Sequence, residues 1–194
     1  MTKRGVVMTY ETVRAWSEAF RRHYAKRIRA GRGRLGDTWH LDEVYLRING
    51  RMQYLWRAVD QDGSVLDILV QPRRNERAAR RFLSALLTTA GYAPRVVITD
   101  KLLSYTRPCA ELLPGAKHCR AKGLNNRAEN SHQPTRERER RMRGFKSVGH
   151  AQRFLSSFGV ICDLFRPGRH RLSAPNYREA TSRRFVQWRA VTSA

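Results

Sequence analysis

Acidic side chains are scarce in this sequence. Sixteen Asp and Glu stand against 39 Lys and Arg in 194 residues, a formal charge of +23, with a sequence pI of about 11.4. That imbalance lies far outside the range of ordinary cytosolic enzymes and makes a polyanion the expected partner. Long apolar runs are missing too. None approaches the roughly 20 residues of a membrane-spanning helix, and the N-terminus has no apolar core of a signal peptide, so no membrane partner is expected and nucleic acid is. Cysteine is sparse: Cys109, Cys119 and Cys162 show neither a CxxC pair nor zinc-finger spacing. They read as reduced, packed thiols. The sequence also lacks internal repeats and low-complexity segments, and its length suits one α/β domain with a real core but not two large ones.

What is present is a clear succession of patterns. Thr9 reads as the N-cap of a helix with Val13, Trp16 and Phe20 on one stripe. From Arg21 to Arg34 come seven Lys or Arg and no acid, a basic linker or arm suited to backbone phosphate. Three runs rich in β-branched and aromatic residues follow, parted by Asn49-Gly50 and Asp62-Gly63, which are strong signals for tight hairpins. They predict an antiparallel meander. In its first strand His40, Asp42, Val44, Leu46 and Ile48 share one face, and Trp39, Leu41, Glu43, Tyr45 and Arg47 the other.

Ala78, Ala79, Phe82, Leu83, Leu86 and Leu87 then recur at helical spacing and predict a crossover helix. "RVVIT" reads as a buried parallel strand ended by Asp100. A helix is expected from about Leu102 to Leu113, and a short strand around Ala116 to Arg120. The segment from Asn126 reads as helical, with Pro134 either kinking it or starting its regular part. A last stripe of Phe154, Leu155, Phe158, Ile161 and Leu164 predicts a helix stopped by Pro167-Gly168. Tyr177, Phe185 and Trp188 are expected to dock a basic tail onto the body, and Trp39, Tyr54 and Trp56 to lie in the core.

This order of elements is that of a ribonuclease H-like α/β domain, a mixed sheet flanked by helices. There the first strand and the strand after the crossover are neighbours, which brings Asp42 near Asp100 although 57 residues lie between them. Two close carboxylates repel unless something positive sits between them. A divalent cation with oxygen ligands answers that need. Glu129, from a helix, would complete a site able to hold two metals for in-line phosphoryl displacement. Each acid alone has a structural alternative: a hydrogen-bonded strand residue, a helix cap, or a partner of a nearby arginine.

"WHLDEVYLRINGRMQYLWRAVD", "VITDKLLSY" and "NNRAENSHQPTRERERRMRGFKS" resemble the three catalytic blocks of bacterial DDE transposases of the insertion-sequence-six family, over a match running from about Thr38 to Trp188. The resemblance implies that Asp42, Asp100 and Glu129 are the catalytic and metal-binding triad. It implies Mg²⁺, with Mn²⁺ able to substitute, and cleavage and strand transfer on the element's terminal inverted repeats and target DNA by a homo-oligomer at the bacterial nucleoid. Arg136, seven residues after Glu129, occupies the family's basic position. Spacing departs from the family in that only 28 residues separate Asp100 from Glu129.

Upstream, "RGVVMTYETVRAW" resembles the family's recognition helix with only eight residues before Thr9, so the expectation is an N-terminally truncated helix-turn-helix. The expected division is 1–36 for that partial helix-turn-helix and linker, 37–166 for the catalytic domain, and 167–194 for the tail. Arg14, Lys101, Arg136, Arg140, Arg143 and Lys146 are the expected DNA contacts. For the arginine run, a self-paired surface helix is the alternative, and for Lys101 an exposed lysine at a helix start. His118 and His132 read as a strand-end residue and a surface or phosphate-contacting residue. The competing functions are a catalytically inactive transposase remnant that only binds DNA, and a basic RNA-binding protein.

Overall fold

The computed structural model describes residues 8–120, 123, 125–165 and 172–193. They form two compact units, one from Gly33–Gly159 and one from Met1–Arg32 with Val160–Ala194. The sequence suggested three segments in chain order; in the structure the two ends of the chain belong to one unit.

The larger unit is built on the meander β1 (Thr38–Ile48), β2 (Arg51–Asp60) and β3 (Val65–Gln71). At the first turn Asn49 and Gly50 both take positive φ, 50° and 75°. This is the conformation that a two-residue hairpin matched to strand twist requires, and that Asn and Gly tolerate best. At the second, the Asp60 carboxylate accepts from the backbone N–H groups of Asp62 and Ser64, each at 2.9 Å. The crossover helix α2 (Glu76–Ala90) opens on Asn75, whose side chain accepts from Ala78 N–H, and ends at Gly91 with φ 74°. β4 (Val96–Thr99) then pairs parallel to β1.

The expected helix at Leu102–Leu113 is split into a 3₁₀ turn, Leu103–Tyr105, and a shorter α3, Thr106–Leu112. Pro108 falls in the first turn of α3, where its missing N–H costs no helical hydrogen bond. β5 (Lys117–Arg120) pairs parallel to β4. The sheet order is β3-β2-β1-β4-β5, with the meander antiparallel and the other two strands parallel to β1. This is the ribonuclease H-like arrangement expected from the sequence.

Both faces of the sheet are covered. On one, Trp39, Leu41, Trp56, Ala58 and Val97 pack against Phe82, Leu83 and Leu86 of α2 and Tyr105 and Cys109 beyond β4. Removing each of the three large α2 side chains from water contributes about 1.5–3 kcal/mol. On the other, Leu46, Ile48, Leu55, Val59, Ile68 and Val70 pack against Ala128, Phe145, Phe154 and Leu155. These come from α4 (Asn126–Ser131), the segment after α5 (Gln133–Arg141), and α6 (Val148–Phe165). Gln152 of α6 accepts from Val70 N–H at 2.8 Å and donates to the Ile68 carbonyl at 3.1 Å, so one side chain satisfies part of the β3 edge. Tyr54 is half-buried, unlike Trp39 and Trp56.

In the smaller unit Thr9 does cap α1 (Tyr10–Gly31), accepting from Thr12 N–H. The helix continues through most of the stretch expected as linker. Its buried residues are Ala25 and Ile28, which gather with Val160 and Leu164 of α6 and with Trp188 and Val191. The expected stripe is outside this cluster: Trp16 and Phe20 are each 50% exposed. The tail is itself a helix, α7 (Ala174–Thr192), capped by Ser173. Trp188 stacks edge-on with Tyr24 and Phe165, whereas Phe185 stays half-exposed beside Phe165. Pro167-Gly168 and the first seven residues lie outside the described residues.

Candidate active site

Parallel pairing brings two of the expected acids together. Thr38, Trp39 and His40 of β1 lie opposite Val96, Val97 and Ile98 of β4, and the same offset carried forward sets Asp42 level with Asp100, just past the end of β4. Asp42 is 9% exposed and lies on the strand face shared with Leu46 and Ile48. Asp100 is half-buried. Its Oδ1 accepts from the backbone N–H of Leu102 at 2.9 Å, and its Oδ2 from Arg74 at 3.3 Å.

The third acid arrives on α4. Asn125, at the start of that helix, donates its amide to the Leu41 carbonyl at 2.7 Å, pinning α4 to β1 next to Asp42. The helix breaks at His132, and α5 begins at Gln133 with Pro134 in its first turn, where proline is tolerated. So Pro134 starts the regular part of the second helix. Arg57, directly across β2 from Asp42, donates to the Ser131 carbonyl and to Thr135 Oγ1 and so holds both sides of the break. Glu129 is exposed, and among the described residues its carboxylate has no ion pair.

His132 is not the surface residue expected. It is 1% exposed, and its Nε2 lies 3.3 Å from Asp42 Oδ2. Burial lowers its pKa, opposed by Asp42 and reinforced by the charge of Arg57, so the ring is neutral near pH 7. His118 sits on β5 with Nε2 2.9 Å from Thr99 Oγ1, its pKa also lowered by burial.

A carboxylate that the sequence reading set on the face of β1 opposite Asp42 turns out to border the site. Glu43 has a fully buried side chain. Its Oε1 accepts from Arg74 Nε at 2.5 Å and its Oε2 from the Tyr105 hydroxyl at 2.9 Å. Arg74 thereby spans Glu43 and Asp100. Burial pushes the Glu43 pKa up to about 7, opposed by the Tyr105 hydrogen bond, reinforced by the charge of Asp100 and opposed again by Arg74. The Tyr105 hydroxyl is pushed well above its ordinary range by burial and by Glu43. The signal for Glu43 was its place next after Leu41 on the face that Trp39 shares, the face whose start is buried. Arg74, in the loop between β3 and α2, carried none.

Among the described residues no three His, Cys, Asp or Glu side chains are gathered closely enough to hold an ion. Asp42, with His132 Nε2 3.3 Å from its Oδ2, and Asp100, held by the Leu102 N–H and Arg74, nevertheless offer oxygen donors at the same level of the sheet, and among the described residues the exposed Glu129 carboxylate has no ion pair. That all-oxygen set fits a hard divalent cation. Lys101, Arg136, Arg140, Arg143 and Lys146 are exposed. Of the five arginines from Arg136 to Arg143, Arg141 pairs with Glu137 at 3.4 Å and Arg136 acts by its charge on Glu139, while among the described residues Arg138, Arg140 and Arg143 have no carboxylate within ion-pair distance. Arg14, in the other unit, pairs with Glu11 at 3.3 Å.

The family model of the transposase DDE domain matches residues 36–167. The chain belongs to the DDE transposases of insertion sequences. As a DDE transposase it is an enzyme of DNA phosphoryl transfer. Over 177 residues it is 29% identical to the transposase of the insertion sequence-like element IS431mec of Staphylococcus aureus, covering 89% of this chain and 77% of that one. The transposase of IS257 in transposon Tn4003, also from Staphylococcus aureus, is 29% identical over 174 residues, covering 87% and 76%. Among solved structures, the DDE transposase is similar to the catalytic core domain of BIV integrase, with TM-score 0.49 and 16% identity over 79% of this chain and 99% of that one. It is similar also to the catalytic domain of Mos1 mariner transposase, with TM-score 0.48 and 13% identity over 97% and 95%.

Proposed function

We propose that this transposase cuts DNA at the ends of its insertion sequence and joins the freed 3′-hydroxyls to target DNA, using Asp42, Asp100 and Glu129 to hold Mg²⁺ or Mn²⁺. The observation that carries the reading is the shared level of Asp42 and Asp100 at the carboxyl end of two parallel strands, beside a helix whose exposed Glu129 has no other partner. When bound, the metal supplies charge for activating the attacking oxygen and for stabilising the leaving one. The chain's own residues do the rest. β1 and β4 place the two aspartates, Arg74 and the Leu102 N–H orient Asp100, and the exposed guanidinium groups of Arg136, Arg140 and Arg143 grip backbone phosphate. Lys101, Lys146 and, when it releases Glu11, Arg14 add further positive charge for DNA. The protein works as a homo-oligomer at the bacterial nucleoid; no helix among the described residues is long and apolar enough to cross a membrane.

Strand transfer tests this. Purified protein is given a pre-cleaved 3′-end oligonucleotide and a plasmid target, with and without Mg²⁺. Joined product that requires Mg²⁺ and vanishes in Asp100→Ala is expected. Product that persists in that variant would overturn the assignment, and its absence from folded, DNA-bound wild-type protein would favour the inactive remnant.

A further inference from the structure

His132 has no function in the reading above, yet it is among the least exposed polar side chains in the chain. Neither ring nitrogen makes a hydrogen bond of good geometry among the described residues, although Nε2 lies 3.3 Å from Asp42 Oδ2. A buried imidazole facing an ionised carboxylate is favourable in one arrangement. Oδ2 is an acceptor, so the arrangement that suits it puts the proton on Nε2, the ring nitrogen beside it. The contact is slightly longer than an ordinary N–H···O bond and lies in a place built to keep the ring there. Arg57 ties the residues on both sides of His132, and Pro134 fixes the chain just after it.

His132 also stands three residues after Glu129, one helical turn on. A single ring therefore links the helix that carries Glu129 to the strand that carries Asp42. We propose that His132 is a positioning residue for the metal site: it holds Asp42 Oδ2, leaves Oδ1 to the cation, and keeps the Glu129 helix in register with β1. It acts through Asp42 and is not itself a ligand, since its Nε2 is already turned to a carboxylate and Mg²⁺ prefers oxygen. Outer partners of this kind are worth about 10–100-fold in metal affinity. The proposal rests on the reading of Asp42 and Asp100 as metal ligands.

The test is calorimetric titration of the full chain with Mg²⁺ alone and Mn²⁺ alone, beside thermal melts, for wild type, His132→Ala, His132→Gln, Asp42→Asn and Asp100→Asn. The expected result is that His132→Ala weakens both metals by the same factor of about 10–100. His132→Gln keeps a donor and should recover most of that loss, while Asp42→Asn and Asp100→Asn remove binding. His132→Gln also keeps the question open to decision if His132→Ala fails to fold: unchanged affinity in Gln supports positioning, and a loss as large as that of Asp42→Asn overturns it. Wild-type affinity in a folded His132→Ala overturns the proposal alone. A loss confined to Mn²⁺ overturns it in favour of direct ligation. Wild-type affinity in both aspartate variants overturns the metal site and the proposal together.

Discussion

Asp42 and Glu43 are consecutive residues on opposite faces of β1, and their surroundings differ in kind. Asp42 looks toward α4 and α5, where His132 Nε2 lies 3.3 Å from its Oδ2 and the level of Asp100 lies alongside. Glu43 looks into the core between the sheet and α3, where Tyr105 and Arg74 take both of its oxygens. The first carboxylate keeps acceptor capacity for a ligand; the second has spent it on the protein. A strand's two-residue period thus separates an acid with free acceptor capacity from one committed to the core within a single peptide unit.

The largest expected effect is on catalysis. Asp42→Asn should lower Mg²⁺-dependent strand transfer by about 10³-fold or more while leaving salt-sensitive DNA binding unchanged; activity near wild type would erase the contrast between the two acids. Next comes stability. Glu43→Ala strands the buried Tyr105 hydroxyl and half of Arg74's contacts, so a loss of about 2–4 kcal/mol in denaturant unfolding is expected. A change under about 0.5 kcal/mol would show that Glu43 is not structural.

Glu43→Gln sharpens the same point through pH. A carboxyl whose folded pKa of about 7 exceeds its unfolded value binds more protons when folded. Its contribution is full below the unfolded pKa and is lost as pH rises through the folded one. Wild-type stability measured relative to Glu43→Gln should therefore fall between about pH 4.5 and pH 7 and level off above; a flat or rising difference would contradict it. The smallest effect lies outside both faces. Arg140→Ala and Arg143→Ala should each reduce the slope of log affinity against log salt by about 1 for duplex DNA, whatever its sequence. An unchanged slope would remove these arginines from the interface.

The sequence carried the site unevenly. Asp42 and Asp100 were legible because one sits in, and the other directly follows, a strand with a strong apolar pattern, and their pairing followed from the order of elements. Glu129 rested on its place beside an arginine run. His132 was read as a surface or phosphate-contacting residue, with Pro134 either kinking the helix or starting its regular part. The break at residue 132, held by Arg57 from another strand, turned the ring inward, and no local pattern records a partner 75 positions away in the chain. The stripe of Val13, Trp16 and Phe20 misled for the converse reason. Apolar spacing shows that a helix has an apolar side, but whether that side is covered depends on which other element packs there.

By itself, then, the amino-acid order determined the charge that selects a polyanion, the hairpin turns and the periods of strand and helix, because each of these is set by residues near one another in the chain. Tertiary structure alone decided that the two chain ends share one unit, that Arg74 bridges Glu43 to Asp100, and that His132 meets Asp42. Those contacts join elements distant in sequence, and only the closed sheet with helices on both faces brings them within hydrogen-bonding range.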